Sequence, residues 1–289
     1  MPHFFKYVTR DTAHKIIGNG TLRWSSPPLL NDPFDMQFAF QLRIDRQAVL
    51  AMARDKLWQH YSGELVDRPL NMLGHGIRLL RDTVPGMSRE ELRQAFGNSD
   101  DESMGILEKN IARYSQEILS QFINDKIFCL SDLADSIPMW AYYAQNHAGI
   151  VLRFTDETPD NPLTQARRVR YVEKMPSLFD NEMLSDDLAG YNCMTPERII
   201  DEIVWTKSSH WAHEREWRVY AGIGRSNAPY EDIPFNAKEL DGVIFGVRTT
   251  VAERRLLAAL VRARYPHVEL LQAKARPDTY ELVIECADY

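Results

Sequence analysis

The chain has 289 residues, a formal net charge of −7, and 44% hydrophobic and 26% charged residues, which are the proportions of an ordinary soluble globular protein. The negative balance excludes broad, nonspecific binding to a phosphate backbone, while a local basic groove stays compatible with it. Cys129, Cys193 and Cys286 form neither a zinc pattern nor a disulfide framework, and the sequence shows no signal peptide or membrane-length apolar run, so we expect a cytoplasmic protein without a membrane partner.

The first 45 residues carry the pattern of a compact β-α-β unit. Aromatic and β-branched residues predict strands at Phe4 to Val8 and Leu22 to Ser25, and a third strand is predicted where Phe38, Phe40 and Leu42 alternate with polar residues. The helix between the first two strands has N-caps in Thr9 or Asp11 and ends at Gly18 or Gly20. Prolines 27 and 28 then lead into a loop at residues 31–35.

Residues 44–124 change to helical signals. Ser88 with Glu91, and Ser99 with Glu102, have capping-box spacing. Apolar residues recur every three or four positions at Leu107, Ile111, Tyr114, Ile118 and Phe122, as on one face of an amphipathic helix. We predict a helical insertion here, within a single α+β domain that spans residues 1–289.

Strand signals return after this insertion. Predicted strands cover residues 126–130, 149–154, 168–172, 216–223, 232–235, 242–247, 268–273 and 280–285, and predicted helices cover residues 137–145, 196–207 and 251–264. Strands and helices are interspersed without repeats or clear linkers, which indicates one α+β fold.

The segment KSSHWAHEREWR at residues 207–218 concentrates charge at the start of a predicted strand. Alternation along a strand places Glu214, Glu216 and Arg218 on one side and Trp217 and Val219 on the other. This pattern is typical of an active-site strand and equally of a salt-bridged surface edge.

Two further segments carry candidate binding residues. Trp140 and Tyr143 are three residues apart on a predicted helix, where they form either a wall for a flat ring or part of the core. Asn31 and Asp32 either hold an Asx-turn or, together with Asp35, orient a substrate or a cation.

Several common catalytic motifs are absent from the sequence. It contains no GxGxxG or Walker loop, no HExxH and no GxSxG, and no cysteine has a nearby histidine partner. A Rossmann dehydrogenase, a P-loop NTPase, a zinc protease, a serine hydrolase and a thiol enzyme are therefore not indicated.

Three stretches together resemble a bacterial family of uncharacterised function, the domain-of-unknown-function family 2971 (DUF2971). They are FKYVT…LRWSSPPLLNDPFD, FCLSD…MWAYYAQNHAGIVLRF and KSSHWAHEREWR, and they lie in this order between residues 5 and 218. This resemblance implies relatedness and no particular activity.

The opening β-α-β unit also resembles, more distantly, the start of ADP-ribosyltransferase folds. Such enzymes use a first-strand His, Arg or Tyr, a second-strand Ser, Thr or Tyr, and a catalytic Glu on a later strand. The resemblance implies Tyr7 or Lys6 for the first position, Ser25 or Ser26 for the second, with Ser131 as a competing assignment, and Glu216 for the third, with Glu214 as its pair. It also implies a mixed, largely antiparallel sheet core, NAD as the substrate and no metal.

The chemistry that this resemblance implies has a physical basis. Cleavage of the nicotinamide–ribose bond develops oxocarbenium character, which a nearby carboxylate stabilises. Tyr143 and Trp140 would hold the ring, Asn31, Asp32 and Ser131 would contact the substrate, and Lys6 or Arg218 would meet the pyrophosphate.

The leading hypothesis is an NAD-dependent ADP-ribosyltransferase-like enzyme, such as a bacterial toxin or phage-defence effector, whose acceptor is protein, nucleic acid or water. One alternative is a non-catalytic sensor that binds a nucleotide or a protein. Another is a nuclease that uses Asp32, Asp35 and Glu216 with a divalent metal. The sequence indicates no oligomeric state.

Overall fold

The computed structural model of the chain describes residues 3–37, 44–64, 68–96, 100–156, 160–193, 195–224 and 226–287. The third strand that was predicted around Phe38 to Leu42 lies outside these residues, as does Ser99 of the second predicted capping box. The first capping box is present, because Ser88 and Glu91 exchange hydrogen bonds at the start of a helix.

The described strands are β1 (Phe4–Val8), β2 (Thr21–Ser25), β3 (Asp125–Ser131), β4 (Ile150–Phe154), β5 (Arg167–Arg168), β6 (Arg170–Val172), β7 (Thr206–Ser208), β8 (Glu216–Ile223), β9 (Tyr230–Pro234), β10 (Leu240–Phe245), β11 (Glu269–Ala275) and β12 (Leu282–Cys286). The α-helices are α1 (Arg10–Asn19), α2 (Arg46–Ser62), α3 (Met72–Thr83), α4 (Arg89–Phe96), α5 (Asp100–Phe122), α6 (Ile137–Tyr142), α7 (Asn181–Leu188), α8 (Pro196–Val204) and α9 (Val251–Arg264). None of the helices in the described ranges is both long enough and apolar enough to cross a membrane.

Contacts within the chain group its residues into two compact units. Unit 1 comprises Met1–Met36, Gln121–Lys174 and Val204–Tyr289, and unit 2 comprises Gln37–Ser120 and Met175–Ile203. Unit 2 is helical and has its own core around Leu57, Tyr61, Ile77 and Leu92. Most of the predicted helical insertion falls in unit 2, together with α7, which the sequence pattern did not group with it.

Unit 1 is built on one large sheet with the strand order β12-β11-β10-β4-β1-β3-β2-β9. β8 belongs to the same sheet and pairs with β3, which therefore has three partner strands. β10 and β11 run parallel, whereas the other pairings in this sheet are antiparallel. The predicted α+β class with a mixed, largely antiparallel sheet is therefore confirmed.

Both faces of this sheet bury apolar side chains. One face forms the main core, in which Phe4, Trp24, Phe128 and Val219 lie with residues of α1 and α9. The opposite face packs Tyr7, Val151 and Ile244 with Met139 and Trp140 of α6. Because both faces of β4 are covered, four of its five residues are apolar, and Arg153 is the exception.

β1 and β2 separate from each other along the same edge of β3. β8 pairs with β3 over nearly its whole length, so it occupies one edge of that strand. On the other edge, β1 meets β3 at Ser131 and β2 meets it at Ile127. The resulting gap, which we call the fork, lies beside Cys129 and interrupts an otherwise continuous sheet.

Two predicted helix ends differ in the structure. The helix predicted over residues 137–145 ends at Tyr142, and the chain then turns through left-handed conformations at Gln145, Asn146 and His147. The helix predicted over residues 196–207 ends at Val204. Lys207 instead lies in β7, whose short parallel pairing with β6 overrides the helical pattern.

Candidate functional site

A cavity of about 210 Å³, lined by both apolar and polar side chains, lies at the fork of unit 1. Side chains from β1, β2 and β3 line it, as do Asn31 and Tyr143 and both glutamates of the charged segment, Glu214 and Glu216. Residues far apart in the sequence therefore meet at the interruption in the sheet.

A buried lysine joins the two glutamates. The Lys207 ammonium donates to Glu214 Oε2 at 2.6 Å and to Glu216 Oε2 at 2.9 Å. All three side chains are at most 5% exposed. A buried ammonium is stable only when charges or dipoles replace its hydration, and these two carboxylates supply that replacement.

Arg218 completes the cluster from the same strand face as Glu216. Its guanidinium is fully buried and donates to Glu216 Oε1 at 2.7 Å, to Asp35 Oδ2 at 2.6 Å and to the Val204 carbonyl at 2.7 Å. Three carboxylates thus surround two cations, which leaves one negative charge in excess when all five groups are ionised. Because these side chains are buried, the surface-edge alternative for this segment is wrong.

Two left-handed backbone positions direct carboxylates into the cluster. Arg215, with φ of +45°, separates the short 3-10 helix at Ser209–Glu214 from β8, so that Glu214 and Glu216 converge on Lys207. Met36, with φ of +55°, follows Asp35 directly, and its N–H donates to Asp35 Oδ1. Such conformations cost non-glycine residues on the order of 1 kcal/mol each, so the surrounding contacts must hold them in place.

A hydrogen-bonded chain leads from the cavity wall to Glu214. Asn31 Nδ2 donates to the Tyr143 hydroxyl at 2.5 Å, and that hydroxyl donates to Glu214 Oε1 at 2.5 Å. Glu214 therefore contacts both a lysine on its buried side and a tyrosine that lines the cavity.

The two glutamates differ in acidity. Burial favours the neutral form of both groups. For Glu216, Arg218 and Lys207 outweigh burial and hold the pKa well below its usual value. For Glu214, burial raises the pKa and the neighbouring Glu216 carboxylate adds to the rise, although Lys207 opposes it. Glu216 is thus a fixed anion, while Glu214 is the better placed group for proton transfer.

Lys6 reaches the cavity from the opposite face of the sheet. Alternation places Lys6 with Phe4 and Val8, which belong to the main core. Its ammonium lies 4.9 Å from the centre of the Phe128 ring, donates to the Cys129 carbonyl at 2.7 Å, and lines the cavity. Burial lowers the pKa of Lys6.

The structure brings more than half of the predicted site residues together. Those that line the cavity are Lys6, Tyr7, Ser25, Asn31, Tyr143, Glu214 and Glu216. Within this group the hydroxyl of Tyr7 donates to the Leu133 carbonyl, so Tyr7 presents its ring rather than a free hydroxyl.

The other five predicted residues do not line the cavity, and their polar groups bind other parts of the protein. Trp140 is fully buried in the α6 core, and its Nε1–H donates to the Ala134 carbonyl. Ser26 accepts from Lys126, and Asp32 accepts from the Phe34 N–H in an Asx-turn. Ser131 Oγ donates to the Glu214 carbonyl, which fixes the turn that carries this glutamate. Arg218 lies beneath the cavity in the ion cluster, so its guanidinium is engaged by Glu216 and Asp35 rather than directed at a pyrophosphate.

Lys207 is the main residue that sequence reasoning missed. The predicted helix ran through it, which placed it apart from the strand that carries Glu216. The sequence held one indication of its role. Lys207 is the first residue of the charged segment, and two closely spaced glutamates that become buried require a cation nearby. The sequence predicted that Asp35 orients a substrate or binds a cation, and in the structure it is a partner of Arg218.

No group of three His, Cys, Asp or Glu side chains within the described ranges is arranged to hold a metal ion. Cys129 lines the cavity, but burial and the adjacent Glu216 raise the pKa of its thiol, which disfavours the reactive thiolate.

Comparison with known proteins gives one match. No curated protein and no solved structure matches the chain. The model of a family described as "Protein of unknown function (DUF2971)" matches residues 139–219, a range that includes Tyr143, Lys207, both glutamates and Arg218. The predicted resemblance is thereby confirmed over this segment, and residues 139–219 are similar to the DUF2971 family.

Proposed function

We propose that this protein cleaves the bond between nicotinamide and ribose in NAD and transfers the ADP-ribosyl group to an acceptor. The observation that carries the proposal is the convergence of residues from three strands on one cavity: Lys6 and Tyr7 from β1, Ser25 from β2 and Glu216 from β8. These are the strand positions that the ADP-ribosyltransferase resemblance implies for substrate binding and catalysis.

The charge of the site suits this reaction. As the C1′–N bond breaks, its electron pair leaves with the nicotinamide nitrogen and the ribose gains positive charge. Four of the five members of the ion cluster line the cavity, and the cluster carries one negative charge in excess when all five groups are ionised. Fixed negative charge close to the ribose stabilises such a transition state. The acceptor then forms a bond to C1′ and releases its proton.

The two glutamates have different roles in this proposal. Both oxygens of Glu216 are held by Lys207 and Arg218, so Glu216 positions the cluster. Glu214 lines the cavity with Tyr143 and has a raised pKa, so it is the group that would contact ribose and take the proton of the acceptor.

The cavity is smaller than the roughly 300–1,000 Å³ of pockets that enclose drug-sized ligands. At about 210 Å³, it would enclose the nicotinamide and its ribose, while the adenosine half would lie outside it.

The direct test is to incubate the purified protein with NAD and to quantify free nicotinamide by chromatography. NADH is the matched control, because its dihydronicotinamide carries no positive charge and is a poor leaving group. We expect nicotinamide release from NAD and none from NADH. Binding of NAD without release, in the presence of candidate acceptor proteins and nucleic acids, would contradict an enzymatic function and support a sensor.

A further inference from the structure

Lys6 and Lys207 both line the fork cavity, yet their amines have opposite environments. Lys207 is surrounded by Glu214, Glu216 and Asp35, whose charges raise its pKa. In the described part of the chain, no carboxylate lies within ion-pair distance of Lys6, whose contacts are the Cys129 carbonyl and the Phe128 ring. Three carboxylates therefore hold Lys207 as a cation, whereas burial lowers the pKa of Lys6.

The fork accounts for this difference. A lysine on the main-core face of a continuous sheet would have to bury its amine among apolar side chains. The gap between β1 and β2 allows the stem of Lys6 to pack in the core while its nitrogen reaches a cavity on the other face. Lys6 is half-buried, and lysines with a depressed pKa serve as nucleophiles toward carbonyl groups.

We infer that the Lys6 amine forms an imine with the C1 aldehyde of a reducing sugar bound in the fork cavity, and that ADP-ribose is such a sugar. The choice of ADP-ribose rests on the proposed function, because hydrolysis of NAD would release it in this cavity. Its ribose opens to an aldehyde in solution, which makes C1 available to an amine.

The step balances without an added oxidant or reductant. The Lys6 nitrogen attacks C1 and forms a carbinolamine. One proton of the nitrogen passes to the carbonyl oxygen, which becomes the hydroxyl group of the carbinolamine. The second proton leaves the nitrogen as the C=N bond forms, and the hydroxyl group takes up a proton and departs as water. Glu214 lines the same cavity, and because burial raises its pKa it is suited to accept and to release this second proton.

The test supplies ADP-ribose directly to the intact protein at pH 7 with sodium cyanoborohydride, which reduces an imine to a stable amine. Peptide mass spectrometry then maps the adducts. We expect Lys6 to be modified faster than the exposed Lys15 and Lys238, since a lowered pKa leaves a larger fraction of an amine unprotonated at pH 7. Modification that follows exposure, with Lys6 spared, would overturn the inference.

The variant Lys6→Arg should lose the adduct at position 6, while Lys15→Arg should leave it unchanged. The wild-type adduct map decides the question even if Lys6→Arg does not fold. Because ADP-ribose is added directly, the outcome is independent of NAD cleavage. A Lys6 adduct without nicotinamide release would reject the proposed function alone, and nicotinamide release without a Lys6 adduct would reject this inference alone.

Discussion

Replacing Arg218 with methionine is expected to lower the free energy of unfolding by roughly 3–5 kcal/mol, the usual cost of removing one partner from a buried ion pair. The guanidinium is fully buried and binds both Glu216 and Asp35. Methionine would fill much of the volume but would leave Lys207 as the only cation among three carboxylates. The loss is therefore electrostatic rather than a loss of packing.

Urea denaturation followed by circular dichroism measures this effect. Arg276→Met is the matched control, since Arg276 is half exposed and its nearest carboxylate, that of Glu281, lies 3.6 Å away. Its removal should change the free energy of unfolding by less than about 1 kcal/mol. The double variant Arg218→Met with Glu216→Gln should recover part of the loss, because it removes one of the stranded charges. A cost below about 1 kcal/mol for Arg218→Met, or no recovery in the double variant, would show that the cluster does not depend on this pairing.

The second large effect concerns activity. If the proposed reaction is correct, Glu214→Gln should lower the rate of nicotinamide release by roughly 10²–10³-fold, the typical loss when one group that stabilises a transition state is removed. Glutamine keeps the shape of the side chain and one acceptor oxygen, which can face Lys207, while its amide NH2 would donate to the Tyr143 hydroxyl. It removes the negative charge and the capacity to take a proton, so turnover should fall much more than substrate binding.

Glu285→Gln is the control for this variant, since Glu285 is a half-exposed glutamate that pairs with Lys274 at the end of the sheet. It should retain wild-type turnover. Circular dichroism of Glu214→Gln should match the wild type, which separates a catalytic effect from unfolding. Equal rates for Glu214→Gln and the wild type would remove Glu214 from the chemistry.

Local patterns predicted most of unit 1. The alternation along residues 216–219 placed Glu216 and Arg218 on one face and Trp217 and Val219 on the other, as the buried pairings with β3 show. Thr9 caps α1, and Gly20 ends it in the left-handed conformation, as its sequence indicated. These features depend on a few neighbouring residues, so sequence periodicity and capping rules were sufficient to find them.

The centre of the site depends on contacts between distant segments, and local patterns do not contain that information. The fork results from the registers of β1 and β2 on β3, which join residues more than a hundred positions apart. Trp140 and Tyr143 were predicted to share a helix face, but α6 ends before Tyr143, and this lets one ring enter the core while the other lines the cavity. Lys207 was missed because a three-residue strand pairing decided its conformation.

The central claim is that the fork of unit 1 is the ligand site, and a crystal structure of the Glu214→Gln variant with NAD tests it most directly. We predict the nicotinamide ring beside Tyr143 and its ribose beside Gln at position 214, with the adenosine half outside the cavity. NAD bound elsewhere on the protein, or an empty fork at saturating NAD, would contradict the account.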